Sequence, residues 1–296
     1  MGVTVAVPQD RWHLVRTALD GADERFRALL LAAPDAGRMA TAEWTIADSA
    51  AHVLSIATLY VFLLEDGAEA LPVPGIESIL STTNVDTVAD VNAYVLQYFT
   101  ERDATVLADQ LGTAVRRILA ATEHTAPDTP VRWLGDSLVP VAGVLAHLVN
   151  ELLVHGWDIA RALRVPWPMP EEHAALYWEQ FFLGMLRLEY GALLNTSLRM
   201  PRRPIAVQFR SRYTPTATIV LGDGKVWIAP PEHPPDVRVR FRPARFNLML
   251  FGRISTVNAA LRGDVVVGGP RPWLLRDFLR VVHMPNGRLA PPSVVQ

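Results

Sequence analysis

The segment HLVNELLVHGWDIARAL, from His147 to Leu163, constrains this chain more than any other stretch. Its apolar residues recur at helical spacing, and His147, Glu151 and His155 follow one another in steps of four. Four residues turn an α-helix by about 400°, so each of the three lies about 40° round from the last, and together they form one stripe. A carboxylate on a stripe flanked by Val, Leu, Ile and Ala costs several kcal/mol unless something pairs with it. Two arrangements satisfy it. One is a ladder of i,i+4 hydrogen bonds along a bundle face. The other is a cation held by neutral imidazoles and the carboxylate, completed by one more histidine from a different helix. His52, the lone histidine of the apolar run AHVLSIATLYVFLL, is the candidate, and its bland alternative is a satisfied core histidine. Asp158, three residues after His155, is spaced to orient that imidazole as an acceptor.

Composition narrows the chemistry. With 296 residues, half of them hydrophobic and a fifth charged, the chain has material for about two globular domains. A formal net charge of −2, with no basic run interleaved with aromatics, argues against nucleic acid as a partner. There is no cysteine, which removes disulfides, a cysteine nucleophile and thiolate ligands. Any sulfur chemistry then depends on a thiol cosubstrate. The N-terminal MGVTVAVPQDRW lacks a basic region followed by an apolar core, and the apolar stretch from Leu138 to Ala160 carries His, Asn, Glu and Asp. Neither suits a leader peptide or a lipid-spanning helix, so a soluble cytoplasmic protein is expected.

Helical patterning fills the first two-thirds. Asp10 opens an amphipathic stretch over 11–33, stopped by Pro34. Thr45 and Asp48 have the spacing of a capping box for a helix running to about Glu65. A loop around Gly67–Gly75 follows, then helix from Thr87 to about His124 with a break near 100–103. The next helix is expected from Asp136 or Ser137 to about Arg164, with Pro140 in its first turn, and a further one from Glu171 to about Leu194. Helices of this length make a bundle the natural packing. Beyond about residue 200, Ile205–Arg210 and Val237–Phe241 alternate like half-buried strands, and Gly222-Asp223-Gly224 reads as a hairpin turn. Short helices are expected over 245–252, 256–261 and 272–282, and a strand over 263–267. No G-x-S-x-G elbow is present, which removes that hydrolase reading.

Trp44, Asp48 and His52 in WTIADSAAHVL, with Glu151, His155, Gly156, Asp158 and Ala160 in the second motif, resemble the mycothiol-dependent maleylpyruvate isomerase family. That family belongs to the DinB-like metal-binding four-helix bundles. Phe246, Leu250 to Arg253, Ala259, Gly263, Val265 to Val267 and Gly269 are similar to the family's sterol-carrier-protein-like second domain. The resemblance implies an α plus α+β chain: a DinB-like four-helix bundle over 1–195 and a small α+β sterol-carrier-like domain over 196–296. It also implies a divalent metal, zinc first, held by His52, Glu151 and His155, with mycothiol as cosubstrate.

The reading that follows is a zinc-dependent S-transferase or thiol-assisted isomerase acting on a small electrophile. The competing reading is a non-enzymatic binder that holds an apolar ligand in the sterol-carrier-like domain. Expected partners are the electrophile and the thiol, with no nucleic acid and no membrane, in a monomer or homodimer. His147 is left to line the cavity, to bond Glu151, or to enter the ligand set. Arg161, Arg210, Arg253 and Arg262 are candidates to stabilise an oxyanion by charge alone. The aromatic run at Trp178, Phe181, Phe182 and Met185 reads as core, with a pocket wall as its alternative.

Overall fold

In the computed structural model, residues 6–196, 198 and 200–283 are described; the first five residues, on which part of the leader-peptide reading falls, lie outside this set. Along the chain come α1 (Gln9–Leu31), α2 (Ile46–Leu64), the short α3 (Ile76–Thr82) and α4 (Val88–Leu96), and α5 (Ala104–Ala121). A small antiparallel hairpin of β1 (Pro130–Arg132) and β2 (Leu138–Pro140) leads into α6 (Val141–Leu163). Then α7 (Glu171–Leu176) continues through a π-helical stretch (Tyr177–Phe182) into α8 (Leu183–Arg187). Helices α1, α2, α5 and α6 form the four-helix bundle. Both α1 and α2 pack against α5 and α6, while α3 and α4 form an excursion between α2 and α5.

The C-terminal part contains β3 (Ile205–Ser211), β4 (Thr214–Gly222), β5 (Lys225–Ile228), β6 (Val237–Phe241), α9 (Pro243–Leu250), α10 (Thr256–Leu261), β7 (Val265–Gly268) and α11 (Leu274–Val281). Its mixed sheet has the order β5-β4-β3-β6-β7, with β3 and β6 parallel and the other neighbours antiparallel. Buried apolar side chains of bundle and sheet form one continuous cluster, from Trp12 to Val282. Polar contacts fasten the two parts as well. Asn247 donates to Asn150 Oδ1 and to the Ala174 carbonyl at 2.9 Å each, and Glu171 accepts from Arg242 and from the Ala244 N–H.

The helix carrying His52 starts where the capping box predicts. Thr45 Oγ1 accepts from the Asp48 N–H and Asp48 Oδ2 accepts from the Thr45 N–H, both at 3.0 Å. Arg102 donates to the other Asp48 oxygen at 2.7 Å. Burial pushes the Asp48 carboxyl up, but the bonds from Thr45 and Arg102 together hold it below the ordinary carboxylate range. The break near 100–103 is real: Asp103 caps α5 by accepting from the Thr105 and Val106 N–H groups. Gly156 is dictated by packing, because a Cβ there would lie 2.2 Å from the Trp167 ring. Trp167 in turn donates to the Leu153 carbonyl at 2.9 Å, pinning the Pro-rich connection against α6.

Several sequence expectations need correction. Helix α1 opens at Gln9 after Pro8, so Asp10 is a first-turn acid and not its cap. Helix α3 was hidden in what reads as loop, since its seven residues are too few to display a period. Residues 138–140 pair with β1, so α6 begins at Val141 with Pro140 as its N-cap, and not near Asp136. The helix expected to reach Leu194 stops at Arg187, where the chain turns to bring Glu189 beside Leu138. The expected strand over 263–267 spans Val265–Gly268, because Gly263 takes a positive φ of 70°.

Two outcomes test these local arguments. Thr45→Ala should cost about 1 kcal/mol by removing one half of the cap, as read by urea unfolding. Gly156→Ala should cost about 1–3 kcal/mol through overpacking against Trp167. That variant should also shift the tryptophan emission, and unchanged stability and emission would contradict the packing role.

Candidate metal centre

Helices α2 and α6 run antiparallel across the bundle, bringing His52 to His155 at one end and Tyr60 to His147 at the other. His52, Glu151 and His155 are all buried, and one donor atom from each lies within 4.8 Å of the others. His52 Nε2 is 3.5 Å and His155 Nε2 is 3.4 Å from the same oxygen, Glu151 Oε2. Those separations are long for hydrogen bonds, which centre near 2.9–3.0 Å. They match the edge of a tetrahedron around zinc, about 3.3 Å for ligands at about 2.05 Å. Two imidazole nitrogens and one carboxylate oxygen therefore fit a divalent cation in both chemistry and spacing. Trp44 covers the group, with its ring centroid 4.6 Å from that of His52 and 5.7 Å from that of His155.

Two of the donors, His155 and Glu151, have a polar neighbour behind them. His155 Nδ1 lies 3.2 Å from Asp158 Oδ2, and Arg253 grips the same carboxylate through Nε and Nη2, the latter at 2.7 Å. Arg253 also donates from Nη1 to the Phe251 carbonyl at 2.7 Å. Asp158 thus stands beside the ring it is expected to orient, while His155 Nδ1 itself makes no hydrogen bond of good geometry. Of the four arginine candidates for oxyanion stabilisation, Arg253 alone lines the cavity. Arg161 reaches the Ala40 carbonyl, Arg210 is exposed, and Arg262 approaches Asp264.

His147 stands outside the group of three. Its Nε2 faces the other carboxylate oxygen, Glu151 Oε1, at 3.6 Å, and its Nδ1 meets the Tyr60 hydroxyl at 2.9 Å. Trp133 donates to that hydroxyl at 3.2 Å, and indole has no acceptor to offer in return. The Tyr60 hydrogen then goes to His147 Nδ1, which leaves the His147 hydrogen on Nε2, directed at Glu151. Tyr60 and Trp133 carry no motif, and only the three-dimensional packing of the β1–β2 connection against the bundle puts them here.

Burial shapes the charge states. It pushes the Glu151 carboxyl up, yet His155, His52 and His147 together hold it well below the ordinary range. Burial pushes His52 and His147 down, so both are neutral imidazoles at neutral pH. For His155, burial is outweighed by Asp158 and Glu151, and its pKa is raised.

The centre opens into a cavity of about 260 Å³. Phe181, Phe182 and Met185 wall it, so that part of the aromatic run is pocket as well as core, whereas Trp178 faces a second cavity in the C-terminal part. Among the described residues one helix, Ile46–Leu64, is long and apolar enough to cross a membrane; two-thirds of it is buried inside the protein, and it carries His52.

Fold and site define a helical bundle with a buried two-histidine, one-carboxylate group beside a largely apolar cavity. Residues 15–160 match the family model described as the mycothiol maleylpyruvate isomerase N-terminal domain, and this stretch is a domain of that family. The crystal structure of the mycothiol-dependent maleylpyruvate isomerase aligns at 14% identity over 88% of this chain and 95% of that one, with a TM-score of 0.44. A histidine-to-alanine mutant of that isomerase aligns with the same identity and coverage at a TM-score of 0.46, and both likenesses are too slight to argue from. No curated protein matches the chain.

A cation held by the three donors should be lost from His155→Ala. It should be retained, but 10–100-fold more weakly, by Asp158→Asn and by Tyr60→Phe, which disturb only what orients the donors. Competition against a chromophoric chelator reads all three, and full-strength binding by His155→Ala would contradict the assignment.

Proposed function

We propose that this protein is a metal-dependent enzyme that uses a low-molecular-weight thiol, mycothiol first among candidates, as an S-transferase or thiol-assisted isomerase on a small electrophile. The observation that carries the reading is the set His52, Glu151 and His155, converging at tetrahedral-edge spacing on the wall of a cavity, in a chain with no cysteine of its own. With His147 outside that set, three protein donors leave a position open, as catalytic zinc sites do and structural ones do not. Bound there, a divalent cation such as zinc lowers the pKa of a coordinating thiol enough to make it a thiolate at neutral pH.

The chain's own groups do the rest. The Tyr60–His147 pair stands 3.6 Å behind Glu151 Oε1, and Arg253 holds the Asp158 carboxylate 3.2 Å from His155 Nδ1. Trp44, Phe181 and Phe251 line the cavity, and a substrate that fills it would displace water from between them, strengthening the charge interactions inside. Arg253 keeps N–H bonds free beyond those to Asp158 and Phe251, and these are placed to stabilise negative charge developing on a carbonyl oxygen. In the addition, sulfur bonds to the β-carbon of an activated alkene and the π pair moves onto the carbonyl oxygen. Protonation at the α-carbon completes a conjugate. Rotation followed by loss of the sulfur returns the isomerised alkene and the thiol.

On this reading the bundle, 1–195, supplies the donors, and the α+β part, 196–296, contributes Phe251 and Arg253 as a sterol-carrier-like second domain. The protein works in the cytoplasm, where thiols stay reduced. A second reading draws on the second cavity, about 190 Å³ and lined by Trp178, Phe182, Phe209, Phe246 and Phe278 among others. There the C-terminal part would hold an apolar ligand without catalysis. A panel of thiols with one generic electrophile, run with and without added zinc, separates the two. Zinc-dependent turnover with at least one thiol is expected; no turnover with any thiol, from protein that co-purifies with a lipid, would favour the binder.

A further inference from the structure

We infer that the electrophile is an uncharged carbonyl-activated alkene carrying an apolar chain or ring, and not a small dicarboxylate. The inference rests on the proposed thiol chemistry and adds the substrate class. The cavity follows the facing stripes of α2 and α6 from His52 and His155 toward Tyr60 and His147. Eight residues of helix separate the ends, about 12 Å at 1.5 Å per residue. Polar groups on those stripes are engaged there; Asn92 on α4 and Thr41 and Glu43 before α2 are among the polar residues elsewhere in the lining. Ser55 donates to the His52 carbonyl, and Tyr60, Trp133 and His147 bond one another. The outer wall is Leu59, Leu71, Ile76, Leu80, Val88 and Val91, supplied by α2, the connection after it, and the α3–α4 excursion.

Among the described residues lining the cavity, Arg253 is the one arginine or lysine. It stands at the metal end, where the buried Asp158 already neutralises it. A substrate with two carboxylates could place one there. The other would lie against Leu, Ile and Val with no cation to pair it, only the neutral amide of Asn92, and would lose hydration there without an ion pair in return. An apolar group in the same space is favoured, by about fourfold in affinity for each methylene buried. The metal end thus suits the thiol and the carbonyl, and the length of the cavity suits a hydrocarbon substituent.

The test uses the full chain, zinc-loaded, with the thiol that supports turnover. A series of straight-chain α,β-unsaturated methyl ketones of four to ten carbons should show kcat/KM rising about fourfold per methylene until the cavity is filled. Leu80→Trp, which occupies the outer wall, should move the optimum to shorter chains. 4-Oxohex-2-enedioate, the same enone with a carboxylate at each end, should be at least 100-fold poorer than its dimethyl ester. In parallel, the matching saturated ketones, which cannot react, are titrated by tryptophan fluorescence without any thiol. Turnover that is flat with chain length, or that favours the dicarboxylate, overturns the substrate class and leaves the thiol chemistry standing. Saturated ketones that bind more tightly with each methylene, with no turnover of any alkene, sink the thiol chemistry and keep the apolar assignment. Neither binding nor turnover overturns both.

Discussion

A carboxylate buried at the centre of a helical bundle, faced by three imidazoles, dominates this structure. Glu151 could not be ionised there on its own, since isolating a carboxylate from water costs far more than a domain of this size can spare. The bundle therefore brings His52 across from α2 and spaces His147 and His155 one turn to either side on α6. Two of the imidazoles approach one oxygen at distances too long for good hydrogen bonds, and the third approaches the other oxygen. That division gives the carboxylate two faces: Oε2 toward His52 and His155, and Oε1 toward the Tyr60–His147 pair.

The same constraint explains why the C-terminal part is fastened to the bundle beside the site. His155 stands 3.2 Å from Asp158, Asp158 is held by Arg253, and Arg253 belongs to the segment just after α9. The buried Asn150–Asn247 bond lies on the same helix pair, and Asn150 is the neighbour of Glu151 in sequence. Docking of α9 thus acts on both α6 donors. Loosening it should be felt at the candidate centre, whereas changes on the far edge of the sheet, at β5, should not.

Much of this was legible in the chain, for identifiable reasons. His52, Glu151, His155 and Asp158 announced themselves because polar residues on an apolar helical stripe demand a partner, and helical spacing is a strong constraint. Thr45 and Asp48 fixed the start of α2 because a capping box is local. Alternation placed β3 and β6 nearly to the residue for the same reason. What escaped was non-local or short. The β1–β2 hairpin exists because Pro130–Arg132 finds Leu138–Pro140, and three-residue strands have no period to read. Trp133 and Tyr60 come together only through that hairpin. Helix α4 was expected, but the short α3 before it was not, and together they build the cavity's outer wall. The role of Arg253 was invisible among many arginines until its distance from Asp158 was known.

The most direct measurement of the central claim is X-ray absorption at the zinc edge of the zinc-loaded protein, with and without the thiol. The resting spectrum should fit nitrogen and oxygen scatterers only, at about 2.0–2.2 Å and with imidazole outer shells. Adding the thiol should introduce one sulfur at about 2.3 Å while the imidazole signature persists. A spectrum lacking imidazole shells, or one that the thiol leaves unchanged, would contradict a cation held by His52, Glu151 and His155 and open to a sulfur ligand.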